Sequence, residues 1–116
     1  MPQRAVIVAG ATSGIGLAIA EMAVPRGYHV ILVGRDQDAL AQAVERVRGR
    51  GGSCEGVACD LTVPEQVKRV VSEVRQRDLA AWIHCAGQMT YGEVIDTPWA
   101  TFREVLDTNV GSVFLA

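Results

Sequence analysis

Four short apolar runs, each followed by a stretch of helical spacing, constrain this chain more than any other feature of it. The runs cover residues 4–9, 28–33, 54–59 and 79–86 and read as strands. Between the first two, residues 14 to about 24 read as a helix with Ile15, Ala18, Ile19 and Met22 on one face, stopped by Pro25 and Gly27. Asp36 is placed to cap a helix reaching about Arg48, with Leu40, Ala43, Val44 and Val47 as its inward stripe. Thr62 is placed to cap a third helix, with Pro64 near its first position, Glu65 three residues on, and Val67, Val70, Val71 and Val74 facing inward. Residues 87–98 read mostly as loop. A last helix starts at Thr97-Pro98, with Phe102, Val105, Leu106, Asn109, Val110 and Val113 at helical intervals. Alternation of this kind, joined by right-handed crossovers, predicts a parallel sheet with helices on both faces.

The remaining composition narrows the class. A chain of 116 residues is one domain, spanning residues 1–116, and with 49% hydrophobic residues it has the means to build a core. The net charge of −2 offers no electrostatic case for nucleic acid or an anionic membrane. Arg46, Arg48 and Arg50 read as a solvated helix end. The opening apolar run is too short for a signal segment or a membrane span. Cys54, Cys59 and Cys85 form neither a C-x-x-C pair nor a metal framework, so buried reduced thiols and a cytoplasmic setting are expected.

The turn Gly10-Ala11-Thr12-Ser13-Gly14-Ile15-Gly16 leaves the first strand and opens the first helix. Gly10 can take the chain off the strand, while Gly14 and Gly16 put no side chain between the helix and a ligand or the sheet. Thr12 and Ser13 offer hydroxyls, and the helix start offers free N–H groups and a partial positive charge, which together suit a pyrophosphate. The expected architecture is therefore α/β, a Rossmann-like doubly wound parallel sheet of strand order 3-2-1-4, the N-terminal half of such a fold. The ligand would lie at the carboxyl ends of the strands. Gly10 to Gly16, Asp60 and Ala86-Gly87 all fall there, from three separate strands.

The spacing G-x-x-x-G-x-G resembles the cofactor turn of the short-chain dehydrogenase/reductase family, where threonine is common at the position of Ala9. Asp60-Leu61 resembles the family's exit from strand 3, where the acid contacts adenine. Cys85-Ala86-Gly87 resembles the end of its N-N-A-G stretch, with His84 and Cys85 standing for the two asparagines. That pair ties the central strands together in the family, so the replacement puts the local network in question. Asp107-Thr108-Asn109-Val110 resembles the segment with the active-site asparagine, which implies that Asn109 orders a proton-relaying water. The resemblance implies an oxidoreductase acting on a small-molecule carbonyl or alcohol, homo-oligomeric at full length.

Arg35 bears on the choice of coenzyme. An NAD-binding acid is expected at the end of strand 2, where Gly34 and Arg35 stand instead. A guanidinium there suits a ribose 2′-phosphate, so NADP(H) is expected over NAD(H), with Asp36 as a rival contact to the ribose. The family's Tyr-x-x-x-Lys pair is not found: Tyr28 is followed at that spacing by Leu32 and Tyr91 by Ile95, and Lys68 is the only lysine. The chain is thus read as cut before that segment and inactive alone. Two other readings stay open. One is a non-catalytic nucleotide-binding module or degenerate fragment. The other is a methyltransferase, against which the missing strand-2 carboxylate counts.

Overall fold

A computed structural model describes residues 3–116. Its sheet is parallel, with strands β1 (Ala5–Ala9), β2 (His29–Gly34), β3 (Cys54–Ala58) and β4 (Leu79–His84) in the order β3-β2-β1-β4. The helices are α1 (Gly14–Ala23), α2 (Gln37–Arg48), α3 (Pro64–Val74), α4 (Trp99–Leu106) and a short α5 (Ser112–Leu115). The expected class and strand order are those observed. β4 ends two residues before the sequence suggests, at His84.

Alternation along the central strands builds two cores. Val6 and Val8 of β1, with Val30 and Leu32 of β2, face the layer of α1 and α2. Ala5, Ile7, Ala9, Ile31 and Val33 face the opposite layer, where α3 supplies Val67, Val70 and Val74 and α5 supplies Leu115. Both strands are therefore apolar on both faces, as a sheet covered twice requires. Each fully buried side chain such as Ile7 or Leu32 contributes about 1.5–3 kcal/mol. β4 pairs with β1 alone and is half-buried along most of its length.

Several local expectations are corrected. In α1 the sequence puts Ile15, Ala18, Ile19 and Met22 on one apolar face, and of these Ile19 packs against the core. Gly16 and Ala20 are buried, while Ile15, Ala18 and Met22 are exposed. Small residues let this helix sit close to the sheet, Leu17 and Ile19 pack against the core beside them, and Ile15 and Met22 turn outward. Val71 of α3 is exposed for a related reason: Val67, Val70 and Val74 already fill the stripe. Asp36 caps α2, its carboxylate accepting from the N–H groups of Asp38 and Ala39 at 3.0 and 3.1 Å. Thr62 does not cap α3. Val63 holds that position, and the Thr62 hydroxyl turns to Asp60.

The arginines after α2 are more than a solvated end. Arg46 and Arg50 grip the buried carboxylate of Glu21 on α1 at 2.8 and 2.6 Å. The hydrogen bond from Arg50, ahead of the opposing cost of burial, holds the Glu21 carboxyl below its ordinary range. Arg48 donates to the carbonyl of Cys54 at 2.9 Å. Cys54 and Cys59 are buried and all three cysteines are free thiols. Burial pushes the Cys54 thiol up to about 11 and raises that of Cys59. No helix among the described residues is long and apolar enough to cross a membrane.

The last helix is not continuous. Between α4 and α5 the backbone widens into a π-turn over Asp107–Gly111. Most of its apolar stripe is uncovered: Phe102, Leu106, Val110 and Val113 are exposed, and so is Trp99.

Candidate functional site

All four strands stop at one rim, and a groove opens there. The ladder continues just past the strand ends. Gly10 donates to the carbonyl of Val33 at 3.0 Å, Cys59 to Gly34 at 2.9 Å and Cys85 to Ala9 at 2.7 Å. The residues that follow are thereby held side by side. Gly10, Thr12, Ser13, Arg35, Asp60, Leu61, Cys85, Ala86 and Gly87 all line the groove. It encloses about 250 Å³ and is open to solvent; typical small-molecule pockets enclose roughly 300–1,000 Å³.

The glycine turn depends on close approach. Gly10 sits at φ +79°, and a Cβ there would run into the backbone of Cys85 and Ala86. A Cβ on Gly16 would collide with the carbonyl of Gly10. Together these two positions let α1 start directly over β1. Ser13 occupies the N-cap in an extended conformation, and its side chain makes no capping bond. The first N–H groups of α1 are thus uncapped at the groove's edge, with the positive end of the helix behind them. Gly14 and Ile15 lie in this first turn; Ile15 is exposed.

On the other side, Gly34 passes beneath the methyl of Thr12, 3.1 Å from where a Cβ would stand. Arg35 follows, exposed, and makes no ion pair among the described residues. Asp60 is held in place by its neighbours. Its Oδ1 accepts from the N–H and the hydroxyl of Thr62, at 2.9 and 2.6 Å, and its own N–H donates to Gln66 at 2.7 Å. The Thr62 hydroxyl is the main reason its carboxyl is held below the usual range, against the cost of burial, with Arg35 adding a smaller pull.

Beyond β4, Asn109 sits on the π-turn and outside the groove lining. Its Oδ1 accepts from the N–H of Gln88 at 2.6 Å, and its Nδ2 donates to the Gln88 carbonyl at 2.7 Å. The Gln88 side chain in turn donates to Glu104 at 3.2 Å and accepts from Thr108 at 3.3 Å. The segment after Gly87 is therefore strapped to α4 and the π-turn.

His84 fills the network left in question by the missing asparagines. The Trp82 indole N–H lies 3.3 Å from His84 Nδ1, and His84 Nε2 lies 3.0 Å from the hydroxyl of Ser112. An indole nitrogen only donates, so Nδ1 accepts and the ring proton is on Nε2. Burial alone lowers the His84 pKa and keeps the ring neutral. The Ser112 hydroxyl donates in turn to the carbonyl of Thr108.

Five groove residues escape sequence reasoning: Val33, Cys59, Thr62, Thr108 and Ser112. Thr62 carries a signal, since a hydroxyl two residues after an aspartate favours a local side-chain turn. Ser112 carries none; it sits in a helical run, and only the approach of β4 gives it a partner.

The family model for short chain dehydrogenase matches residues 4–116. Among curated proteins, one described as ketoacyl reductase 1 of the granaticin polyketide synthase of Streptomyces violaceoruber is 39% identical over 111 residues, covering 94% of this chain and 41% of its own length. A 3beta-hydroxysteroid dehydrogenase of Mediterraneibacter gnavus is 32% identical, over 97% of this chain and 42% of its own. Among solved structures, a variant of actinorhodin polyketide ketoreductase with NADPH superposes with a TM-score of 0.91 at 26% identity, covering 98% of this chain and 46% of that one. The chain spans less than half the length of these relatives.

Proposed function

The chain belongs to the short chain dehydrogenase family, and on that premise we propose that it supplies the NADP(H)-binding half of a cytoplasmic oxidoreductase. The reaction interconverts a ketone and a secondary alcohol. Nicotinamide, when bound, supplies or accepts the hydride. The relatives named for ketoacyl reduction and for hydroxysteroid dehydrogenation support that substrate class.

The observation that carries this reading is the free guanidinium of Arg35 at the rim, beside a glycine where a carboxylate would suit NAD. The groove's other residues fit the rest of the coenzyme. The uncapped start of α1, with Gly10, Gly14, Ile15 and Gly16 in its turn and the hydroxyls of Thr12 and Ser13 beside it, takes the pyrophosphate. Asp60 spends Oδ1 on Thr62, which leaves Oδ2 to accept from an adenine amino group while Leu61 packs on the ring. Cys85, Ala86 and Gly87 bring backbone, not bulk, to the far wall. The amide of Asn109 holds Gln88 and keeps one lone pair and one N–H for a proton-relaying water. Lys68 is exposed on α3 and cannot serve as the family's lysine. Residues 1–116 contain no Tyr-x-x-x-Lys pair. The full-length enzyme is a homo-oligomer.

The test is binding of NADPH and NADH to the intact gene product, followed by nucleotide fluorescence. Arg35→Ala weakens NADPH about 10–100-fold, the value of a charge-assisted bond pair, and leaves NADH within about twofold. Equal weakening of both removes Arg35 as the selector.

A further inference from the structure

The strand residue His84 stands where the resemblance expects an asparagine, and it does something an asparagine is too short to do. Its Nε2 reaches across to Ser112, the first residue of α5, at 3.0 Å. Ser112 is 1% exposed, and the imidazole is the side-chain partner the structure gives its hydroxyl from β4. The serine hydroxyl then donates to the Thr108 carbonyl inside the π-turn. Thr108 precedes Asn109, whose amide clamps the backbone of Gln88 from both sides. A π-turn breaks the regular helical ladder, and the serine's bond back to the i−4 carbonyl at Thr108 falls inside it. The chain of donors runs in one direction, from the Trp82 indole through the ring and the serine to the carbonyl, so each member fixes the next.

We propose that His84 is a positioning residue: through Ser112 it holds the π-turn in the register that aims Asn109 at Gln88 and the groove. The part of the test that reads turnover rests on the oxidoreductase reading; the part that reads amide exchange does not.

Three single variants of the intact gene product decide it. In His84→Gln the amide nitrogen stands near the place of Nε2 and keeps the donor to Ser112. In His84→Asn it stands near Nδ1 and loses it. Ser112→Ala removes the same link from the other end. Hydrogen exchange of the Gln88 amide, read by NMR or mass spectrometry, accelerates about tenfold in His84→Asn and Ser112→Ala and stays within about twofold in His84→Gln. With a ketone substrate, kcat falls about tenfold in the first two and is kept in the third, while NADPH affinity is unchanged within about twofold in all. Asn and Gln variants that behave alike, or a Ser112→Ala protein with native exchange at Gln88, overturn the proposal. A wild-type protein that binds no NADPH overturns the coenzyme reading instead and leaves the exchange result standing.

Discussion

At the scale of single residues, the groove is made by what is left out as much as by what is present. Gly10 combines a left-handed backbone with contact against Cys85 and Ala86, so it has no tolerable substitute. Gly10→Ala is expected to lose on the order of 1–3 kcal/mol and to abolish nucleotide binding. Chemical denaturation and a binding titration check both halves; a native-like midpoint with native affinity contradicts the close approach. The glycine turn was legible in the sequence because its meaning is local: a strand before, a helix behind, and no side chains between. The partner of Asp60 was not. Thr62 looked like a helix cap, and only the turn geometry gives its hydroxyl to the carboxylate. His84 was legible only as an anomaly, since its partner lies 28 residues away on another element.

Elements repeat this contrast. α2 follows its sequence closely: Asp36 caps it, and Leu40, Ala43, Val44 and Val47 are buried as spaced. The cap engages Oδ1 of Asp36 with two N–H groups, which ties the side chain to the start of α2. Asp36→Ala is expected to cost about 1 kcal/mol, with Asp36→Asn close to neutral. NADPH affinity stays within about twofold in both; a larger loss of affinity than of stability would return Asp36 to the coenzyme. α1 departs from its sequence, because periodicity alone cannot tell which of two apolar faces meets the sheet. Gly16 and Ala20 win over Ile15 and Met22 since only small residues permit the approach that the glycine turn requires. The π-turn in the last helix has no periodic signature at all. It arises where Ser112 and Asn109 are claimed by β4 and by Gln88.

For the whole molecule, the groups with lowered pKa set the response to acid. His84 is kept neutral by burial, whereas an unfolded chain protonates it below about pH 6.5. Its contribution to stability is therefore complete above that pH and is lost as pH falls through the lower native value. Asp60 and Glu21 act in the same direction further down: their ionised forms stabilise the fold above the usual carboxylate range, about pH 4, and that share goes as each is protonated. The melting temperature is expected to decline in two steps, the first beginning near pH 6.5 and absent in His84→Gln; scanning fluorimetry from pH 8 to 4 checks this, and a flat wild-type curve between pH 7 and 5 contradicts it. The sequence by itself determined the class, the strand order and the rim where the candidate residues gather, because strand and helix periods and crossover handedness are local or chirality-bound properties. Tertiary structure alone decided which face of α1 is buried, that Arg46 and Arg50 close on Glu21, and that Trp82, His84, Ser112 and Thr108 form one chain of hydrogen bonds. Those pairings join residues distant in sequence, and nothing short of the packed sheet brings their donors and acceptors within reach.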